Sequence, residues 1–197
     1  TANFNAGSDD VSTLLGNGDG TFQAAVNHPA DDGANAVDVR DIDGDGDLDI
    51  VASNANSQNA SVLLGMGDGS FQAAVNYPLG AIPRSIALSD INGDGVLDVV
   101  TANNDSSVSV LLGIGDGTFG TAHISVLPNV TGTRNARVAD LDGDGVIDIV
   151  TANRYSNDIS VLIGNGVLLQ PAQNVTGLVF GNRFFEDPSV VSFTRVT

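Results

Sequence analysis

An all-β fold built from a repeated unit of four short strands is what this sequence of 197 residues predicts, and three observations carry the prediction. First, an acidic stretch, DIDGDGDLDIV at residues 41–51, returns as DINGDGVLDVV at 90–100 and as DLDGDGVIDIV at 140–150, a period of 49 to 50 residues. Second, STLLGNGDGTF from Ser12 keeps step with it as SVLLGMGDGSF from Ser61, SVLLGIGDGTF from Ser109 and a decayed SVLIGNGVLLQ from Ser160. Third, apolar residues nowhere recur at helical spacing, so helix should be scarce, whereas each period holds four short apolar or alternating runs. In the second period these are residues 85–88, 97–102, 108–112 and 119–126, separated by turns rich in Asp, Gly and Asn.

Each run has its own reason. The first leads into the acidic loop. The second is the β-branched run that leaves the loop and closes on VASN, VTAN and VTAN, at Asn54, Asn103 and Asn153, an ending echoed by the opening TAN. The third is the SVLL segment. The GDG that follows, with Asp19, Asp68 or Asp116 at its centre, turns the chain back into the fourth, because glycine takes positive φ without a Cβ penalty. Those aspartates read as turn chemistry rather than metal ligands. Phe22, Phe71 and Phe119 are expected to pack between units. Four strands per unit, repeated in line, is the arithmetic of a β-propeller blade. The chain is therefore expected to form a single β-propeller domain of about four repeat-equivalents, with units at 1–30 (partial), 31–80, 81–128 and 129–175 and closing strands in 176–197.

Charge excludes whole classes of partner. The formal charge of −17 comes almost wholly from aspartate: Glu186 is the only glutamate, and the seven basic residues are all arginine. Nucleic acid and anionic membrane surfaces are poor partners for such a chain. No apolar run approaches a membrane span, so no membrane insertion is expected. With 42% hydrophobic residues the chain can bury a core, and with no cysteine it has neither disulfides nor thiolate chemistry. It lacks an initiator Met and a signal peptide, and reads as a mature or excised soluble segment.

Crowded aspartates repel one another unless a cation sits among them, and alternate spacing aims their oxygens at one point. D-x-D-x-D-G opens an EF-hand, but that loop needs an acidic twelfth residue and flanking helices. Here the twelfth positions are Ala52, Thr101 and Thr151, inside strand-forming runs, so EF-hand and dockerin readings fail; the period is too long for a nonapeptide β-helix. What remains is a nine-residue loop between two strands, with side chains at positions 1, 3, 5 and 9 and the carbonyl at 7 around Ca²⁺, and glycine at 6 for the sharp turn. Mg²⁺, which keeps its waters, suits such a protein-rich cage less well.

The D-h-D/N-x-D-G-h-h-D loop, the LLGxGDGxF hairpin and the period together resemble FG-GAP repeats, also called VCBS-like repeats, of integrin α-subunits and many bacterial surface or secreted proteins. The resemblance runs from residue 1 to about 166. The family's GAP element is not evident, and only Phe119-Gly120 preserves a literal FG. The resemblance implies a β-propeller with structural Ca²⁺ between the first two strands of a blade. Carried over, the ligands are Asp41, Asp43, Asp45, the Asp47 carbonyl and Asp49; then Asp90, Asn92, Asp94, the Val96 carbonyl and Asp98; then Asp140, Asp142, Asp144, the Val146 carbonyl and Asp148. It also implies an extracellular or cell-surface setting.

The chain begins at the end of a second strand, and Thr197 lies nearly one period after Thr151. This phase suggests a composite blade in which residues 189–196 supply inner strands to residues 10–27, closing a ring as a monomer. The rivals are a part of a larger propeller and a homodimer completing a larger ring. The tail lacks the acidic loop, so the composite blade should carry no calcium site.

Two classes of function follow. The first is a calcium-stabilised extracellular module for adhesion or for recognising a protein or glycan, not catalytic by itself. Its contact face would be the end opposite the calcium loops, where ANSQNA, ANNDSS, ANRYSND and the connectors between units lie. Arg84, Arg134, Arg137, Arg154 and Tyr155 are the candidate ligand-face residues, able to engage a carboxylate, a sulfate or a sugar. The alternative is an accessory propeller domain of a secreted enzyme such as a glycan-active hydrolase or lyase. His28 and His123, the only imidazoles, read as strand packing, and no hydroxyl sits in a nucleophile-elbow context. Sequons stand at Asn59, Asn104, Asn129 and Asn174.

Overall fold

A computed structural model describes residues 1–3, 9–127 and 130–164, together with the backbone of 194–195. The β-branched runs pair as short antiparallel strands, and no helix occurs among the described residues. β1 (Asp10–Thr13) and β2 (Val26–Pro29) form a two-stranded sheet, and Ala2 bridges to Val11 on its other side. Three four-stranded sheets follow. In the first, β3 (Ala34–Arg40), β4 (Asp49–Asn54), β5 (Asn59–Leu63) and β6 (Val75–Pro78) lie in chain order. The second orders β7 (Ala87–Ser89), β8 (Asp98–Ala102), β9 (Ser107–Leu111) and β10 (His123–Val126) in the same way. In the third, β11 (Thr133–Ala139), β12 (Asp148–Asn153) and β13 (Asp158–Ile163) are joined by β14 (Thr194–Arg195).

Period-two alternation explains why the sheets stack face to face. On β4, Ile50 and Ala52 face the core shared with β1, while Val51 faces the core shared with the next sheet. On β8 the same alternation sends Val99 to one core and Val100 and Ala102 to the other. A strand apolar on both faces must have a sheet on each side, which is the geometry of propeller blades. The first strands are also stitched laterally. Asn35 Nδ2 donates to the Pro83 carbonyl at 2.8 Å, the Leu88 amide to Asp38 at 3.0 Å, and the Ala136 amide to Ser85 Oγ at 3.0 Å.

Two details depart from the sequence reading. The run 119–126 becomes strand only at His123; Phe119 instead bridges back to Gly113, as Phe71 does to Gly65 and Phe22 to Gly16, so this pair pins the reversal before the fourth strand begins. The tail does not do what its phase suggests at Thr194–Arg195, which pair with Ile163 and Leu162 as a fourth strand on β13 rather than beside β1. The rest of the expected closing segment lies outside the described residues. The packing role of the phenylalanines holds at Phe119, buried with its edge against Tyr77, and at Phe71, whose ring centre is 4.8 Å from that of His28. Phe22 stays exposed.

The repeated asparagine at the end of each second strand ties the turn beneath it. Asn103 Nδ2 donates to Ser107 and Ser109, Asn54 to Asn59 and Ser61, and Asn153 to Asp158 and Ser160. Asn3 makes the same pair of bonds to Asp10 and Ser12, which identifies the opening TAN as the end of a second strand. The Asn103 and Asn153 side-chain oxygens accept from Thr101 and Thr151, two residues earlier. Ala52 stands in that place in the first four-stranded sheet, and Asn54 Oδ1 is buried without a partner. Ala52→Thr should therefore supply the missing donor and raise stability by about 1 kcal/mol, read from a denaturant midpoint. The same substitution at Ala102, on the face of β8 opposite to Thr101 and Asn103, would bury a hydroxyl with no waiting acceptor and should lower it.

Candidate metal centres

The three acidic loops fold alike because the first aspartate of each wraps its own backbone. Asp41 accepts the Gly44 and Gly46 amides at 2.8 and 3.0 Å. Asp90 accepts those of Gly93 and Gly95 at 2.7 and 2.8 Å, and Asp140 those of Gly143 and Gly145 at 2.7 and 3.0 Å. Gly46 lies at φ +93°, a left-handed conformation that a side chain would strain. The fifth-position aspartates Asp45, Asp94 and Asp144 accept the amide two residues on, which curls the loop around its centre.

The ninth-position aspartates lock each loop to the sheet. Asp49 accepts the Ile42 amide at 2.8 Å and the Gly65 amide at 2.7 Å. Asp98 takes Ile91 and Gly113 at 2.9 and 2.8 Å, and Asp148 takes Leu141 and Gly164 at 2.7 and 2.8 Å. All three are buried. The glycine of each LLG or LIG is thus a partner of the acidic loop, and it must be glycine. A Cβ on Gly113 would sit 2.3 Å from the Leu97 carbonyl oxygen, and one on Gly65 2.4 Å from that of Leu48. The sequence reading missed this link, although the two motifs repeat in phase. Side chains at position 7 pack on the same hairpins, with Val96 over Gly113 and Gly115, Val146 over Gly164, and Asp47 over Gly67.

Carboxylate oxygens of Asp41, Asp43 and Asp49 lie within 4.8 Å of one another, as do those of Asp140, Asp142 and Asp144. Oxygens bound to one ion at about 2.3–2.6 Å can be at most roughly 5 Å apart, so both sets suit a hard cation. In the second loop Asn92 takes the third position and donates to Asp94 at 2.9 Å. Burial pushes the Asp98 carboxyl up to about 6, against the pull of its two amide donors, and the charges of Asp94 and Asp90 push it further the same way. Burial also raises that of Asp49. A carboxyl raised above its unfolded value near 3.8 favours the fold below that value and loses this contribution as pH climbs through about 6. With calcium chelated, the melting temperature should consequently fall between about pH 4 and 6, and Asp98→Asn should flatten the slope.

The GDG aspartates behave as turn residues. Asp19, Asp68 and Asp116 each accept the backbone amide and the hydroxyl of the residue two positions on, Thr21, Ser70 and Thr118, and these hydroxyl and amide bonds hold their carboxyls below the usual range. Strand direction puts these hairpins at the same end of the sheets as the acidic loops. The β4–β5, β8–β9 and β12–β13 turns and the connectors between sheets lie at the other end.

The candidate ligand-face residues divide there. Arg84 immediately precedes the Ser85 that bonds Ala136, Arg134 is at the start of β11, and Arg154 and Tyr155 form the β12–β13 turn, with the guanidinium 5.5 Å from the ring centre. Arg137 does not join them: it sits farther along β11 opposite Val150, bonded to the Ala136 carbonyl. His28 contacts Thr13 and Phe71, and His123 stands opposite Val110, both as packing residues.

A model of the FG-GAP-like repeat matches residues 2–52, 41–101 and 90–151. No curated protein matches the chain. Among solved structures, the Tc holotoxin pore of Photorhabdus luminescens is similar at 18% identity and a TM-score of 0.48, over 78% of this chain and 8% of that one. No helix among the described residues is long and apolar enough to cross a membrane. With three successive repeats matched in register with the three acidic loops, the chain belongs to the FG-GAP-like repeat family.

Proposed function

We propose that the chain is a calcium-stabilised extracellular recognition module, in which the acidic loops bind Ca²⁺ and stiffen the sheets while the opposite face makes contacts. The observation that carries this reading is the convergence of aspartate oxygens in loops already curled by their own amides and locked to the sheets through Asp49, Asp98 and Asp148. Bound Ca²⁺ would supply the positive charge these carboxylates lack. Asp41, Asp43, Asp45 and Asp49, with their counterparts in the other loops, would hold it. Such loops in extracellular modules bind at about 0.1–1 mM, which suits a calcium-rich setting.

Calorimetric titration of the intact chain with Ca²⁺ tests the reading. Saturable binding is expected, with the second loop weakest because Asn92 replaces a carboxylate there. Asn92→Asp should then tighten one site severalfold and leave the others unchanged. Absence of saturable binding at millimolar Ca²⁺ would refute the proposal.

A further inference from the structure

Arg84 and Arg134 occupy the same place in successive repeats, six residues before Asp90 and Asp140. Each is half-buried, and each has a buried Nε with no hydrogen-bond partner. Thr133, fully buried beside Arg134, has an unpartnered hydroxyl. Three of the four buried side-chain polar atoms left unpaired among the described residues thus lie at the entry to the first strands of two successive sheets. The Ser85–Ala136 bond holds the sheets together there. A buried donor without an acceptor costs free energy, so a ligand oxygen that bonds it recovers that cost.

The charge distribution points the same way. In a chain of formal charge −17, the one ion pair among the described residues is Arg40 with Asp38. Among the described residues, Arg84, Arg134 and Arg154 have no carboxylate within ion-pair distance, although aspartate is abundant. Tyr155 packs on Gly132, where a Cβ would meet its ring at 2.2 Å, and it carries Arg154 on the turn next to Thr133. Guanidinium donors whose Nε is unpaired match the paired oxygens of a carboxylate or a sulfate. Around them the turns offer mainly Asn, Ser and Thr. Large exposed apolar side chains such as Leu48, Met66, Ile114 and Leu141 lie on the acidic loops and hairpins at the other end, while Val126, Tyr155 and Ile159 are the exposed apolar residues near the arginines. Amides and hydroxyls around guanidinium groups suit a sugar that carries an anionic group, and an exposed tyrosine ring suits its apolar face.

We propose that Arg84, Thr133 and Arg134, flanked by Arg154, form a binding site for the anionic group of an acidic saccharide, a uronate carboxylate or a sulfate ester. The site deepens the recognition reading above and rests on it for its setting, but it does not require calcium at the loops. The test is titration of the intact chain, in 1 mM Ca²⁺, with oligogalacturonate, its methyl-esterified counterpart, a sulfated oligosaccharide and an aspartate-rich peptide. Binding of one acidic saccharide, with at least tenfold weaker binding of the neutral counterpart, is expected. Arg84→Lys and Arg134→Lys, which keep the charge but lose Nε, should each weaken it about tenfold with melting temperature unchanged. The preferred arm, carboxylate or sulfate, names the group. Equal binding of neutral and acidic saccharides, no binding of either, full affinity in the Arg134→Gln variant, or Arg84-dependent binding of the peptide alone would overturn it. Saccharide binding that persists in a chain shown not to bind Ca²⁺ would sink the calcium reading and leave this site standing.

Discussion

Removing Ca²⁺ from the intact chain should lower its melting temperature by on the order of 10–15 °C, the largest effect expected. Each filled loop adds RT ln(1 + [L]/Kd), roughly 1.4 kcal/mol at a tenfold excess over Kd, and a chain of this size shifts by about 2–4 °C per kcal/mol. Chelation also leaves aspartates converging within 4.8 Å with nothing positive between them. Their repulsion adds to the loss. Differential scanning calorimetry in chelator and in millimolar Ca²⁺ reads the effect directly. A melting temperature that ignores both would show that the loops hold themselves together without metal.

Asp98→Ala should be the most damaging single substitution in the chelated chain. Asp98 is buried, and its two oxygens satisfy the amides of Ile91 and Gly113, one in the acidic loop and one at the hairpin. Alanine would strand both donors, at about 1–3 kcal/mol each. The second loop would come free of its sheet. Asp98→Asn should recover little, because its NH₂ would meet one of the same donors. Asp116→Ala, which removes only exposed turn bonds, should cost well under 1 kcal/mol by comparison. Chemical denaturation of the three variants side by side checks the order; equal losses would mean that the ninth aspartate acts only through metal.

The expected order of strands, the ends at which their loops fall and the turn role of Asp68 and Asp116 all follow from local chemistry. Each depends on residues within a few positions: glycine at positive φ, β-branched runs, aspartate before a hydroxyl. The partnership of Asp49 with Gly65 was not legible, since the two are separated by two strands and nothing in either motif names the other. Nor was the isolation of Arg137 from Arg84 and Arg134, which depends on where along β11 the sheet begins.

By itself the sequence determined a repeated all-β unit and three acidic loops of shared spacing, because repetition and carboxylate spacing are properties of the chain order. Tertiary structure alone decided which buried polar atoms go unpaired, as at Asn54, Arg84 and Arg134, and where Thr194–Arg195 pair. The physical reason is that satisfaction of a polar group is a sum over neighbours brought in from other repeats. A one-residue difference such as Ala52 for threonine changes that sum without altering the pattern that builds the strand.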